Sequence, residues 1–273
     1  MMRYISRPWL QEQFYYFKLY LRLKFPRTRL ILIYSNGKSA TTSITRTLYT
    51  FNESNVLKVH TLNTRKIASR IANRVALNQN LHTTLRNSVF LNEHHNFLSN
   101  AYIITVLRDP LASSVSSFFE NLKIKHPHAY RDCINSGNTR QLRDIFCANY
   151  TAIEEGYLSW LDDEIGSVFG LDLYSYEFPK ERGYKIIRTG NIQLLILKLE
   201  LLDKAISEAI YEFLGISNFK LLRHNVSADK KYKALYNDFL TQDIFSAAQV
   251  ESVYNHKYVK HFYSDEEISR FKK

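Results

Sequence analysis

The sequence predicts an α/β fold in which a central, mainly parallel sheet is flanked by helices in three layers. Two apolar runs, 29–34 and 102–107, each lead into a polar turn and then into a helical pattern. A third short apolar run, 56–59, follows the first of these helices. Strands that alternate with helices are typical of a parallel sheet with helices on both faces.

The other elements follow in chain order. Two further apolar runs, 184–187 and 194–197, are predicted strands that can pair as a hairpin. Residues 123–128 are predicted to form a basic loop, and Gly215 is a usual stop for the helix before it. The predicted helices span 8–23, 44–49, 63–90, 110–122, 139–165, 202–214 and most of the chain after 230.

We predict a single domain over residues 1–273. Eight glycines and five prolines are spread along the chain without a long linker. Residues 1–28 are predicted to form an aromatic and basic helix packed on or beside this domain. We expect its aromatic residues to be buried, and the alternative is a helix that rests on a membrane surface. The residues concerned are Trp9, Phe14, Tyr15, Tyr16, Phe17 and Tyr20, with Lys18, Arg22 and Lys24.

The turn after the first strand has the composition of a phosphate-binding loop. Backbone N–H groups at the start of a helix point outward, and the helix dipole favours an anion there. Lys38 adds a positive charge, and Leu32 stands where a nucleotide-triphosphate loop needs its first glycine. The loop is therefore P-loop-like without being a standard P-loop. The predicted phosphate-binding residues are Gly37, Lys38, Ser39, Ala40, Thr41, Thr42 and Ser43.

A second anion-binding motif follows the strand at 102–107. Arg108 stands at the carboxyl end of this strand, where open α/β sheets bind ligands. Pro110 suits the first turn of a helix, and Ser116 lies on that helix eight residues after Arg108. An arginine fork and a serine hydroxyl can bind a second phosphate. The alternative is an arginine that pairs with Asp109 at the helix start.

Together, the two motifs resemble the nucleotide-binding motifs of sulfotransferases that use 3′-phosphoadenosine 5′-phosphosulfate (PAPS). In that family a Lys-Ser-Gly-Thr-Thr loop holds the 5′-phosphate, and an arginine with a serine eight residues later holds the 3′-phosphate. The resemblance implies that residues 37–43 bind the 5′-phosphate and that Arg108 and Ser116 bind the 3′-phosphate. Ala40 replaces the usual glycine, which we expect to be tolerated provided that its φ is negative.

A second resemblance covers the chain from about residue 29 to about residue 240. It is to a bacterial group of sulfotransferase-like proteins described as capsular polysaccharide synthesis proteins. This resemblance implies transfer of a sulfuryl group from PAPS to a hydroxyl of a carbohydrate acceptor, in capsular or surface polysaccharide biosynthesis and with no obligatory metal. The stretches that carry it are Trp160-Leu161-Asp162-Asp163-Glu164-Ile165, 169–174, Phe178-Pro179 and Gly183-Tyr184.

Sulfuryl transfer needs a base for the attacking hydroxyl, a cation at the leaving oxygen and rigid positioning. Lys38 is the predicted cation, because it lies on the phosphate loop. His60 is the predicted base, because related carbohydrate sulfotransferases place a glutamate or histidine at the end of the second strand and histidine titrates near neutrality. The alternative is a structural histidine near the core whose ring nitrogens are hydrogen-bonded. Weaker candidates for the base are Glu93, His94, His95, His126 and His128.

Two further groups of residues have less defined roles. The carboxylates of 162–164 are expected to be structural or to orient the acceptor, because adjacent carboxylates on a helix point to different faces. Trp160 is expected in the core rather than as a platform for a sugar. A late basic segment is either a loop near the nucleotide or a solvated surface; it contains Asn225, Lys230, Lys231 and Tyr232.

Charge and composition limit the partners. A net charge of +11 and an isoelectric point near 9.5 fit an anionic nucleotide donor and an acidic glycan. We expect no nucleic-acid partner, because the basic residues are dispersed. Cys133 and Cys147 lack metal-ligand spacing and are expected to stay reduced. Without a long apolar run or a signal peptide, we expect a bacterial cytoplasmic enzyme, with peripheral contact at the inner membrane surface through the N-terminal helix as an option.

Two other classes of function stay open from the residues alone. A P-loop kinase or nucleotide hydrolase needs a complete phosphate loop and an acidic residue that ends a strand and holds Mg²⁺, for which Asp109 is the contender. A non-catalytic module that binds nucleic acid or an acidic polymer needs clustered basic residues without a phosphate loop.

Overall fold

A computed structural model gives the fold. It describes residues 7–222, 233–242 and 244–272, with side chains from residue 11 onward except at 151–154. A five-stranded sheet forms its centre. The strands are β1 (Ile31–Tyr34), β2 (Val56–Val59), β3 (Tyr102–Leu107), β4 (Tyr184–Thr189) and β5 (Ile192–Lys198).

Helices surround this sheet. They are α1 (Arg7–Lys24), α2 (Thr41–Thr50), α3 (Thr64–Ala76), α4 (Thr83–Glu93), α5 (Pro110–Lys125), α6 (Pro127–Ser136), α7 (Arg140–Leu158), α8 (Ser167–Phe169), α9 (Leu202–Leu214), α10 (Lys233–Leu240), α11 (Ala247–Asn255), α12 (Lys257–Phe262) and α13 (Asp265–Phe271). Short 3-10 turns span His95–Asn100, Leu173–Ser175 and Leu199–Leu201. A π-helical turn spans Leu161–Gly166.

The sheet is mainly parallel, as the sequence predicts. The strand order is β2-β1-β3-β5-β4, with β1 parallel to β2 and β3, and β3 parallel to β5. Strand β4 is antiparallel to β5 and forms the predicted hairpin with it. The predicted α/β class, a mainly parallel sheet flanked by helices, is confirmed. Because parallel strands end at the same edge, the turns after β1, β2 and β3 lie side by side.

Strands β1, β3 and most of β5 are buried on both faces, which explains why they are nearly continuous apolar runs, whereas the edge strand β4 is partly exposed. Successive side chains of a strand point to opposite faces. In β1, Ile31 and Ile33 therefore face one apolar cluster, with α2 and α9, whereas Leu32 and Tyr34 face another. That second cluster is larger and rich in aromatic residues of α5, α7 and α12.

The structure corrects one prediction about helices, the loop at 123–128, and divides the predicted helical region at 63–90 into two helices. The predicted loop at 123–128 is helical almost throughout, since α5 continues to Lys125 and α6 begins at Pro127. Proline is suited to the first position of a helix because its missing N–H needs no partner there. The predicted helix at 63–90 is interrupted between α3 and α4, where Asn78 adopts a left-handed φ of 48°.

The N-terminal helix is present, and its aromatic residues are divided between two sides. Tyr15, Tyr16 and Tyr20 pack against the core. Phe14 and Phe17 are exposed, so the expectation that the aromatic residues are buried is wrong for these two. The side chain of Trp9 lies outside the described residues.

Two further findings concern membrane-spanning helices and the cysteines. Within the described ranges, no helix is long and apolar enough to cross a membrane. Cys133 and Cys147 are free thiols, as their spacing predicts.

Candidate active site

The start of helix α2 has no side-chain cap. Its N-cap is Ala40, which has no side chain that can accept a hydrogen bond from the first turn, and that turn contains no acidic residue. The N–H groups of a helix start need an acceptor, and the helix dipole makes an anion the preferred one. The predicted hydroxyl residues of this turn differ in exposure: Thr41 and Ser43 are buried, whereas Thr42 is partly accessible.

The loop between β1 and α2 is shaped by its own hydroxyl groups. The Oγ of Ser35 donates to the carbonyl of Val106 at 2.8 Å, and the Oγ of Ser39 lies 2.7 Å from that of Ser35. Ser39 is fully buried and also donates to the Asn36 carbonyl at 2.7 Å. Its hydroxyl therefore belongs to the loop framework. Within the described part of the chain, nothing lies within 4 Å of the position that a Cβ would take at Gly37, so these residues leave the approach to the loop open there.

The backbone at Ala40 differs from the sequence-based expectation. Its φ is 53°, in the left-handed region, whereas tolerance of alanine was expected on the condition of a negative φ. Lys38 is also left-handed, with a φ of 69°. A residue with a Cβ is disfavoured in this region by roughly 1–2 kcal/mol. The loop thus holds two residues in conformations that glycine adopts freely.

Replacing Ala40 by glycine is expected to stabilise the protein. The left-handed strain is relieved, and part of the gain is offset by the greater freedom of glycine in the unfolded chain, which leaves about 0.5–1 kcal/mol in the free energy of unfolding. Ala68→Gly, at an exposed position of α3, is the matched control and is expected to lose about 1 kcal/mol. Urea unfolding measures both. Equal losses in the two variants would contradict the left-handed conformation at residue 40.

Lys38 is held at the mouth of the loop by an ion pair. Its Nζ lies 2.8 Å from Oε2 of Glu120 on α5. The carboxylate is about half exposed, at 49%, and the lysine is 20% exposed. An exposed ion pair contributes little to stability, so the lysine can exchange this carboxylate for a ligand anion. Glu120 was not predicted as a site residue, and its spacing of four residues after Ser116 is the signal that places both on one helix face.

A second lysine, Lys58 of β2, supports the start of α2. Its Nζ donates to Oγ1 of Thr42 at 3.1 Å. Burial, together with the positive charge of Arg46, lowers the pKa of Lys58. This residue was also missed from sequence, although it is the charged residue in the otherwise apolar run at 56–59.

Arg108 meets the phosphate loop. Its Nη1 donates to the carbonyl of Lys38 at 2.9 Å, which joins the two predicted anion sites at the carboxyl edge of the sheet. The carbonyl of Arg108 accepts from the hydroxyls of Tyr157 and Tyr258, each at 3.1 Å. Of the five guanidinium N–H donors, the contact with Lys38 uses one. Ser116 is 8% exposed and lies one helical turn before the Glu120 that contacts Lys38.

Asp109 is a structural residue at the start of α5. Its Oδ1 accepts from the backbone N–H of Ala112 at 2.7 Å, and its Oδ2 accepts from the hydroxyl of Tyr254 at 2.9 Å. Its backbone N–H donates to Oε1 of Glu200 at 2.7 Å. Both carboxylate oxygens of Asp109 are thus engaged, and the side chain is an N-cap rather than a partner of Arg108.

His60 lies beside Ser35, the first residue of the loop between β1 and α2. Its Nδ1 is 2.7 Å from the carbonyl of Ser35, which makes Nδ1 the protonated nitrogen and leaves Nε2 as an acceptor. The indole of Trp160, which is buried as predicted, donates to the His60 carbonyl at 3.1 Å. The pKa of His60 is lowered to about 4: burial lowers it most, the bond to Ser35 raises it, and the charge of Lys58 lowers it. The imidazole is therefore neutral at pH 7.

The competing histidines lie elsewhere. His94 and His95 follow α4 and precede β3, so they are at the amino end of the strand whose carboxyl end carries Arg108. The ring of His94 is stacked on Phe90 at 4.4 Å between centroids. His126 and His128 lie at the junction of α5 and α6.

Acidification is expected to destabilise the protein through His60. Its pKa is lowered in the folded state, so between its ordinary value near 6.5 and about 4 the unfolded chain binds the proton first. Stability is then lost as the pH falls through this window. Between about pH 7.5 and about pH 5, the wild type is expected to lose about 2 kcal/mol more than His60→Gln. Chemical unfolding at both pH values measures this difference, and parallel losses in the two proteins would show that the histidine is not buried and neutral.

The carboxylates of 162–164 are divided between Lys257, which pairs with Asp162, and Lys66, which lies near both Asp163 and Glu164. Asp162 pairs with Lys257, and Asp163 pairs with Lys66, at 2.7 and 2.8 Å respectively. Glu164 is fully buried in the π-helical turn, a type of irregularity often found at functional sites. Its structural role agrees with one of the two interpretations from sequence.

Glu164 fixes the segment that follows His60. Its carboxylate accepts from the hydroxyl of Thr61 at 2.7 Å, from the N–H of Leu62 at 2.8 Å and from the N–H of Asn63 at 3.1 Å. The hydroxyl of Tyr34, at the end of β1, donates to the same carboxylate at 2.5 Å. The buried carboxylate therefore locks the ends of β1 and β2 together, a role that sequence alone does not reveal because the contacts span about a hundred residues.

Two remaining points concern ligands. Among the described residues, no group of three or more histidine, cysteine, aspartate or glutamate side chains is placed to hold a metal ion. The segment with Asn225, Lys230, Lys231 and Tyr232 lies outside the described residues.

The loop between β1 and α2 and Arg108 meet at the carboxyl edge of the sheet, and one family of known proteins is similar to part of the chain. Residues 133–264 match a family model described as "Putative capsular polysaccharide synthesis protein". This supports the capsular part of the resemblance found in the sequence. No curated protein and no solved structure matches the chain.

The matched segment supplies the residues that position the site. Tyr157 and Tyr258 hold the carbonyl of Arg108, and Glu200 holds the backbone of Asp109. Trp160 and Glu164 hold His60 and the residues after it. The phosphate loop and Arg108 themselves precede residue 133.

Proposed function

We propose that this chain is a PAPS-dependent sulfotransferase that modifies a hydroxyl of a carbohydrate in capsular or surface polysaccharide biosynthesis. The observation that carries the proposal is the 2.9 Å contact between Nη1 of Arg108 and the carbonyl of Lys38. PAPS bears one anionic group at its 5′ end and another at its 3′ position, so a protein that binds it needs two anion sites close together. The uncapped start of α2 suits the first, and the fork of Arg108 with Ser116 suits the second.

The order of elements at β1 and α2 supports the same proposal. A strand, a short loop with a lysine and a helix follow one another there, and β1 lies between β2 and β3 in the mainly parallel sheet. Ligands bind at this edge of open α/β sheets. The charge of Lys38 stands three residues before the first residue of α2, and a transferring group with three equatorial oxygens requires cations and N–H donors at one place.

The residues divide the chemistry between them. Nε2 of His60 accepts the proton of the acceptor hydroxyl as its oxygen attacks the sulfur, and the bond between sulfur and the phosphate oxygen breaks. Lys38 stabilises the negative charge that develops on the departing phosphate oxygen, and 3′,5′-ADP is the product. A base with a pKa near 4 is weak. The negative charge of a bound nucleotide raises this pKa toward neutrality.

A carbohydrate is the acceptor that the family match favours, since its description names polysaccharide synthesis. This assignment comes from the similarity of residues 133–264 and not from the site geometry.

A kinase or nucleotide hydrolase is a weaker candidate. Such an enzyme needs an acidic residue that is available to Mg²⁺ at the end of a strand. The carboxylate oxygens of Asp109, the contender, accept from Ala112 and Tyr254. A non-catalytic basic module is also weaker, because Arg108 contacts the loop that leads into α2, so these two sequence motifs lie together rather than on a dispersed basic surface.

Nucleotide-dependent thermal shifts test the proposal. A ligand that binds the folded state raises the melting temperature, and at one ligand concentration a tighter ligand raises it more. We expect a clear rise with 3′,5′-ADP and a small one with ATP and Mg²⁺. The reverse order would support a kinase or hydrolase. Steep, salt-dependent binding of RNA without a response to 3′,5′-ADP would support a non-catalytic module. A mass gain of one SO₃ group on candidate oligosaccharides, with PAPS as donor, then identifies the acceptor.

A further inference from the structure

Helix α1 has a second apolar side that the rest of the described chain leaves exposed. On its inner side, Leu19 and Leu23 are 4% and 6% exposed and belong to the core. On its outer side, large apolar residues are exposed by 40% or more. They are Phe14 at 57%, Phe17 at 58%, Leu21 at 40% and Phe25 at 68%.

These four residues form one stripe. Their spacings of three and four residues put them on a single face of a helix. Phe25 continues this stripe beyond the end of α1, because its N–H still donates to the carbonyl of Leu21 at 3.0 Å. Successive residues are about 100° apart around a helix. The stripe therefore lies opposite Leu19 and Leu23, so it points directly away from the domain.

Positive charges border this outer stripe on both sides. Lys18 and Arg22 lie along one border, Lys24 along the other, and all three are exposed. Nζ of Lys18 is 4.3 Å from the ring centre of Phe14, so its aliphatic stem covers part of the apolar surface. Glu12, the acidic residue of the helix, is turned inward, where it contacts Tyr16 and Arg86.

We propose that this outer face of α1 docks on the surface of an anionic lipid bilayer. A helix that lies in the interface buries an apolar stripe at the acyl boundary and keeps its lysines and arginines at the level of the headgroups. Each such cation contributes about 1 kcal/mol at an anionic surface. Three phenylalanines and a leucine with a cationic border fit that partner in both apolarity and charge. This inference does not depend on the reaction that the site catalyses.

A second copy of the chain fits this face less well. Two such helices packed on each other would bring Lys18, Arg22 and Lys24 of one copy toward the same residues of the other, and α1 offers no exposed carboxylate to pair with them. Like charges at this distance repel. The positive charges of Lys18, Arg22 and Lys24 along the stripe therefore favour an anionic surface over self-association.

The docked helix is coupled to the candidate active site. The hydroxyl of Tyr15, on the inner side of α1, donates to Oδ1 of Asn87 on α4. Nδ2 of Asn87 in turn donates at 3.0 Å to the carbonyl of Lys58, two residues before His60. Hydrogen bonds thus link the inner side of α1 to the strand that leads to His60.

Vesicle sedimentation of the full chain tests the proposal. We expect the protein to bind vesicles of phosphatidylcholine mixed with phosphatidylglycerol, and to bind pure phosphatidylcholine vesicles much more weakly. The variant Phe14→Gln/Phe17→Gln/Phe25→Gln is expected to lower the partition coefficient on mixed vesicles by on the order of a hundredfold. Lys18→Gln/Lys24→Gln is expected to lower it by roughly tenfold or more, with a matching loss of salt sensitivity.

A matched control separates the stripe from general hydrophobicity. Val75 and Leu77 are exposed apolar residues away from α1, at 71% and 63%. Val75→Gln/Leu77→Gln is expected to bind mixed vesicles as the wild type does. Circular dichroism and a melting curve establish that each variant is folded. The proposal is overturned if the wild type ignores anionic vesicles or if the triple variant binds them unchanged. It is also overturned if the stripe instead mediates a dimer, detected by sedimentation velocity without lipid and abolished in the triple variant.

Discussion

Replacing Lys38 by alanine is expected to lower the rate of sulfuryl transfer by on the order of a hundredfold or more while the protein stays folded. The ammonium group is the cation of the phosphate loop, and it opposes charge that exists only as the phosphate oxygen departs. The loss should therefore appear mainly in kcat rather than in the KM of the acceptor. Alanine and lysine carry the same penalty at the left-handed φ of 69°, so the backbone of the loop should not change.

Steady-state kinetics with PAPS and an accepted glycan measure this effect. Lys123→Ala is the matched control, because it removes the same charge at an exposed position of α5, the helix that carries Glu120. Loss of the exposed ion pair with Glu120 should leave the melting temperature nearly unchanged. An unaltered kcat in Lys38→Ala, with normal kcat in the control, would remove Lys38 from the mechanism.

Replacing Arg108 by alanine is expected to abolish the preference of the protein for a nucleotide with a 3′-phosphate. Hydrogen bonds between charged groups contribute about 1.5–3 kcal/mol each, so the affinity for 3′,5′-ADP should fall by on the order of a hundredfold. The affinity for 5′-AMP should change far less, because its phosphate is bound at the start of α2. Calorimetric titration of the two nucleotides gives this ratio directly.

The ratio of the affinities for 3′,5′-ADP and 5′-AMP also distinguishes loss of the 3′-phosphate site from general damage to the loop. Arg108 donates to the carbonyl of Lys38, so its loss can disturb the phosphate loop as a whole. Such damage would weaken both nucleotides alike, whereas loss of the 3′-phosphate site weakens only one. Arg108→Lys keeps the charge but not the fork and should recover only part of the preference. Arg131→Ala, at an exposed position on α6, should behave as the wild type.

Much of the fold follows from local patterns. The apolar runs predicted β2 and β3 within the bounds that the structure shows, and Pro110 and Gly215 correctly mark the start of α5 and the end of α9. The boundary between α5 and α6 was missed, because Pro127 was interpreted as part of a loop when it is the first residue of a helix.

The site was predictable where topology dictates it. Lys38 and Arg108 each follow a strand of a parallel sheet, and neighbouring parallel strands end at one edge, so their proximity was an expectation that the 2.9 Å contact meets. The left-handed φ of Ala40 was not predictable, because alanine carries no sign of that conformation. Glu164 was also beyond reach, since its partners lie about a hundred residues away along the chain.

Crystals of the protein grown with 3′,5′-ADP provide the most direct test of a single nucleotide held between two anion sites. We expect one molecule per chain, with its 5′-phosphate at the backbone N–H groups of Thr41 and Thr42 and its 3′-phosphate at the guanidinium of Arg108. A nucleotide that engages the helix start but leaves Arg108 on the carbonyl of Lys38, or one bound at another surface, would contradict the assignment of a PAPS site.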